Sequence, residues 1–162
     1  MRNVEKLCLA HMWVAFAAFL AAAVLGTWQM WVRSPLGAKV GTPGQYFMSV
    51  TAHGVAMAYV LTTFFIMGFG YFVAVTALAR PLPGKPWAWV GFWVALTGVV
   101  MAVVPIATGQ ASVLFTFYPP LTASVWFYIG LVLVVVASWM WCVLMLGCWS
   151  RAMMSAPMLS HT

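Results

Sequence analysis

Residues 125–149 read VWFYIGLVLVVVASWMWCVLMLGCW, a run without a single charged side chain that ends at Ser150 and Arg151. The hydrocarbon core of a bilayer is roughly 30 Å thick, and a helix needs about 20 apolar residues to cross it. This run is long enough, and working back from it the same reading applies three more times. Trp87 to Val104 forms a third span, stopped before Pro105. Tyr46 to Leu78 forms a second, closed by Arg80, Pro81 and Pro83. It is longer than a bilayer requires, so tilt or an extramembrane turn is expected. Leu7 to Val32 forms the first, closed by Arg33, Pro35 and Gly37. Arg2 and Lys6 before an apolar run imitate a secretory signal, but Trp28, Met30 and Trp31 carry the hydrophobic stretch past a signal's length. The expectation is an all-α integral membrane protein, one domain over 1–162 with four transmembrane helices. Tryptophans at the span ends (Trp28, Trp31, Trp87, Trp89, Trp126, Trp149) suit the membrane–water interface.

Composition agrees. Hydrophobic residues make up 65% of the 162 and charged residues 5%, with a mean hydropathy of +1.03. A water-soluble domain needs far more charge to cover its surface. The net charge of +6 does not point to nucleic acid, because the basic residues are scattered singly between apolar spans instead of clustered on one face. They act as topology signals. Arg2, Lys6, Arg80, Lys85 and Arg151 fall on one side, five in all, against Arg33 and Lys39 on the other. By the positive-inside rule both termini face the cytoplasm, in a multi-pass protein of the cell's inner membrane.

Within the spans, Ala18, Ala22 and Gly26 recur every four residues, a ridge along which another helix, of this chain or another, can approach closely. His53, in the second span, is the residue that asks for chemistry. An imidazole at membrane depth needs a hydrogen-bond partner or a metal. A start near Tyr46 puts it about 10 Å along the helix, in the outer leaflet. Ser49, one turn back on the same face, is expected to accept from Nδ1–H and leave Nε2 for a metal. Gly54 beside it removes bulk, as a flat cofactor would require. The competing reading is a structural histidine bonded to a backbone carbonyl or to another helix. His11 lies near the cytoplasmic interface and His161 in the tail. Cys142 and Cys148, about 120° apart on a helix, share no ligand face, and Cys8 and they lie towards the cytoplasm, where disulfides are disfavoured. The twelve methionines read as packing. Glu5 is the sole carboxylate side chain, so no acid–base pair, nucleophile arrangement or carboxylate proton path exists. The chain alone is neither a hydrolase nor a transferase.

Three runs carry a family resemblance: Thr51-Ala-His-Gly-Val55, Phe115-Thr-Phe-Tyr-Pro-Pro-Leu121 and Gly26-Thr-Trp-Gln29. In this order they resemble subunit I of haem–copper oxygen reductases, most of all the B-family of cytochrome c oxidases. The resemblance implies that His53 is one axial ligand of a low-spin haem, b-type or a-type, with Ser49 and Gly54 around it and the Tyr-Pro-Pro segment shaping the outer face. Family members continue well beyond four helices, and the later ones supply the second haem ligand, the high-spin haem ligand, the copper-binding histidines and a crosslinked tyrosine. The expectation is therefore a split subunit I, its haem shared with a larger membrane chain carrying the other helices. Copper would sit only in partner chains, and an electron-entry subunit would dock alongside. A homodimeric b-type haem protein with one His53 from each copy, or a haem-free structural or assembly subunit, are the alternatives.

Overall fold

The computed structural model describes residues 2–37, 40–78 and 81–154. Lys39, Arg80 and His161, which the sequence reading used for topology and as a ligand candidate, lie outside them. Among the described residues the chain is helical, and four helices are long and apolar enough to cross a membrane. α1 spans Arg2–Arg33. The second crossing is built from α2 (Pro43–Val55), a π-helical turn (Ala56–Leu61) and α3 (Thr62–Ala77). α4 spans Lys85–Ala107 and α5 Val125–Met154.

The spans fall where the hydropathy placed them, with ends shifted by a few residues. α4 is the informative case, because it runs through Pro105 to Ala107 instead of stopping before it. A proline in the last turn removes only one helical hydrogen bond. The carbonyls around it are taken up instead by Thr108 N–H, which donates to Val104 O at 3.0 Å, and Gln110 N–H, which donates to Pro105 O at 2.8 Å. The second crossing has 35 residues, about 52 Å as a helix, and so exceeds the hydrocarbon core as expected. Its π turn has no sequence signature.

Because every face of these helices is apolar, burial follows residue size and shape, not polarity. α1 lies antiparallel along the second crossing, α4 pairs with α5, and α3 touches α5. Glycines set the closest approaches. A Cβ on Gly98 would lie 2.5 Å from the Gly130 carbonyl oxygen, and one on Gly130 2.5 Å from that of Gly98, so the α4 and α5 backbones touch there. Gly70 makes room for the Trp141 indole, whose Nε1–H donates to Met67 O at 3.2 Å. Phe64, Met67, Tyr71, Phe92 and Phe127 fill the interior, while Trp13, Phe16, Met30 and Trp139 face outward, as lipid or further helices require.

Candidate functional site

Thr42 starts α2. Its hydroxyl accepts from Gln45 N–H at 3.3 Å, the Gln45 side chain accepts from Thr42 N–H at 2.9 Å, and Pro43 follows in the first turn. This reciprocal cap fixes the helix start. It places His53 ten residues, or about 15 Å, along α2, deeper than a start at Tyr46 implied.

There the imidazole turns towards α1. His53 Nδ1–H donates to the Ala22 carbonyl at 2.8 Å. A carbonyl can only accept, so the proton sits on Nδ1 and Nε2 carries a free lone pair. No described residue bonds Nε2, and the side chain is only partly buried. Gly26 lies under the ring, where a Cβ would stand 3.1 Å from Cε1 and 3.3 Å from Nδ1. The Ala18/Ala22/Gly26 ridge thus finds its partner helix within this chain. Ala22 is fully buried against it.

Two expectations for the surroundings are corrected. The Ser49 hydroxyl does not meet the imidazole: it donates to the Tyr46 carbonyl at 2.7 Å, the short backbone reach that helical serines favour. Gln29 Nε2–H donates to the Ser49 carbonyl at 3.0 Å, a second tie between α1 and α2. The space at Gly54 is not left for a planar group either. A Cβ there would lie 2.6 Å from Cδ1 of Phe115 and 2.9 Å from its Cβ, so this glycine admits a ring from the loop between α4 and α5.

That loop is fastened to α2. The buried Thr51 hydroxyl donates to Phe47 O at 2.8 Å and accepts from Leu114 N–H at 2.9 Å, and the Tyr59 hydroxyl donates to Phe115 O at 3.5 Å. Within the loop, Tyr118 N–H donates to Val113 O at 3.0 Å and Ser124 N–H to Gln110 O at 2.9 Å. Leu114 and Phe117 adopt left-handed backbone, with φ of 63° and 57°. Non-glycine residues hold such conformations only where neighbours over-determine them, often at functional sites. The π turn begins three residues after His53, and π turns too are frequent at functional positions.

An open apolar groove of about 870 Å³ lies between α1, the second crossing and α4, lined among others by Ala18, Ala21, Ala52, Ala56 and Val103. His53 does not line it. His11, expected at an interface, is instead completely buried at the opposite end of the bundle, roughly 16 Å along α1 from Ala22. Among the described residues no three His, Cys, Asp or Glu side chains converge. Cys8, Cys142 and Cys148 are free thiols.

The site has an imidazole whose Nδ1–H is anchored to backbone and whose Nε2 has no partner among the described residues, the donor chemistry of a metal ligand, on a helix apolar enough to cross a membrane. Residues 6–161 match the family model for cytochrome c and quinol oxidase polypeptide I, and the chain belongs to this family. It is 35% identical over 107 residues to cytochrome c oxidase subunit 1 of Thermus thermophilus, covering 65% of this chain and 19% of that one. Among solved structures it is similar to a haem–copper terminal oxidase determined as a dimer, with a TM-score of 0.81 and 29% identity over 91% of this chain and 26% of that one. The chain thus spans about a fifth to a quarter of the length of these relatives.

The contact observed, Nδ1–H on a backbone carbonyl of another helix, is the one the competing structural reading of His53 described, though the sequence did not say which carbonyl. The Ala22 carbonyl is a backbone atom and leaves no signature. Gly26 did stand in the sequence, in both the small-residue ridge and the Gly26-Thr-Trp-Gln29 run, and the coincidence was the available signal.

Proposed function

We propose that these four helices supply His53 Nε2 as one axial ligand of a low-spin haem, within a split or shortened subunit I of a terminal cytochrome c oxidase. A larger membrane chain carrying the remaining subunit I helices completes the site. An electron-entry subunit docks on the assembly, and copper belongs to those partner chains. One observation carries this reading: the three runs that resemble the family come together at the His53–Gly54 step of α2. Gly26 lies beneath the ring, Thr51 and Gly54 hold the Leu114–Phe115 turn, and Nε2 is left open. Haem, when bound, supplies reversible one-electron chemistry at its iron.

The chain's own residues do the positioning. The Ala22 carbonyl fixes the Nδ1 proton and so the tautomer, as partners of ligand histidines do. Gly26 sets how closely α1 approaches the ring, and Phe115 packs against Gly54, the next residue along α2. The surrounding apolar helices exclude water. In this reading dioxygen is reduced by the assembled complex.

Purification in mild detergent is expected to bring down a larger, histidine-rich membrane chain and a complex with the narrow visible bands of a low-spin haem. Replacing His53 with Ala removes or converts those bands while any separate high-spin signal persists. A His53→Ala complex that assembles normally with an unaltered low-spin spectrum would overturn the ligand role and favour the haem-free structural subunit.

A further inference from the structure

At the end of the bundle where α1 begins and α5 ends, two polar atoms are buried together without partners. His11 and Tyr71 are both fully buried, and His11 Nε2 and the Tyr71 hydroxyl have no hydrogen-bond partner. His11 Nδ1–H donates to the Leu7 carbonyl at 2.8 Å, so Nε2 is a bare acceptor. Tyr71 offers a bare donor. Their ring centroids are 5.7 Å apart with the planes inclined at 67°. Phe92 at 4.9 Å and Phe64 at 5.6 Å close the histidine's other sides, and Gly68 lets α1 in, since a Cβ there would lie 2.7 Å from the His11 Cβ. An unmet buried donor or acceptor costs about 1–3 kcal/mol. An isolated orphan reads as a defect, but a bare donor and a bare acceptor on rings packed edge to face are complementary.

We propose that His11 and Tyr71 form a binding site for a single water molecule, which accepts from the Tyr71 hydroxyl and donates to His11 Nε2. Two polar partners are what a buried water needs as a minimum. The site is independent of the haem reading, lying roughly 16 Å from the Ala22 carbonyl along α1. It places two groups able to take up or release a proton, joined by a water, at membrane depth in a chain whose only carboxylate side chain is Glu5.

The test is ¹⁵N-histidine NMR of the full chain in bilayers, with His11 assigned through His53→Gln and His161→Gln. The expected result is an unprotonated His11 Nε2, displaced from the position of a free nitrogen by hydrogen bonding and cross-peaked to water protons. Tyr71→Phe, which keeps the ring packing, then returns Nε2 to the free position and removes the water cross-peak. A dry, free Nε2 in the wild-type chain overturns the proposal. So does a displaced Nε2 with no water cross-peak, which would mean a direct Tyr71–His11 bond, or a water signal indifferent to Tyr71→Phe. Should that variant fail to fold, the wild-type Tyr71 hydroxyl proton serves instead: exchange with the same water supports the site, and its absence overturns it.

Discussion

The His53 imidazole is specified by two contacts of different kinds, a backbone hydrogen bond and a close approach of α1. Nδ1–H is held by a main-chain oxygen, which no side-chain substitution deletes, so the tautomer is robust. The clearance at Gly26 is the sensitive point. A methyl there would press on Cε1 from 3.1 Å, so the ring must give by a few tenths of an ångström. Gly26→Ala is expected to leave haem content near normal while shifting the low-spin electron paramagnetic resonance g-values and the midpoint potential. Gly147→Ala, with nothing within 4 Å, is the control and should shift neither. Unmoved g-values in Gly26→Ala, with His53→Ala still removing the low-spin signal, would show that Gly26 does not set the ring. Ser49→Ala is expected to be silent, since its hydroxyl serves Tyr46 O. At this scale the sequence singles out the imidazole but not which carbonyl holds it, because a histidine is conspicuous in an apolar helix and a carbonyl is common to every residue.

At the scale of elements, the loop between α4 and α5 depends on one threonine. Leu114 N–H, at a residue with left-handed backbone, has the Thr51 hydroxyl as its acceptor. Thr51→Val keeps the shape and removes the acceptor, stranding that N–H at a cost of about 1–3 kcal/mol. Faster amide exchange is expected from 112–121 while α4 and α5 stay protected; unchanged exchange at Leu114 would show that the loop stands without the clamp. Span number and position were legible because hydropathy over twenty residues is a strong signal. Two things were not. Pro105 reads as a stop, yet lies in a last turn whose carbonyls find other donors. The π turn at Ala56–Leu61 has no apolar period or breaker residue that marks it in the sequence.

For the molecule as a whole, four antiparallel crossings bring the start of α1 and the end of α5 to one end of the bundle, and His11, Tyr71, Phe92 and Trp141 meet towards it. Which side is the cytoplasm rests on the basic residues. Single cysteines at Val40 and Gln110, in a background lacking Cys8, Cys142 and Cys148, are expected to react with an impermeant reagent from outside, and Pro81→Cys is not. The neighbouring Gly41 and Gly84 are poor labelling sites, because their φ values of 86° and 65° suit glycine alone. Labelling at 81 but not at 40 would invert the molecule and move His53 to the inner leaflet. The family was legible from three short runs. That they meet along one short stretch of α2 became visible only in three dimensions, since 31 residues separate His53 from Ala22 and 63 separate Thr51 from Leu114.

Those two separations also order events during synthesis. The hydrogen bond that aims the imidazole needs only the first two crossings, so it is available while the third is still inside the ribosome. The Thr51 clamp needs the loop that follows α4. At about 5–20 residues per second, elongation from one to the other takes on the order of seconds. For that interval the nascent chain carries an oriented imidazole before Phe115 has packed against the neighbouring Gly54.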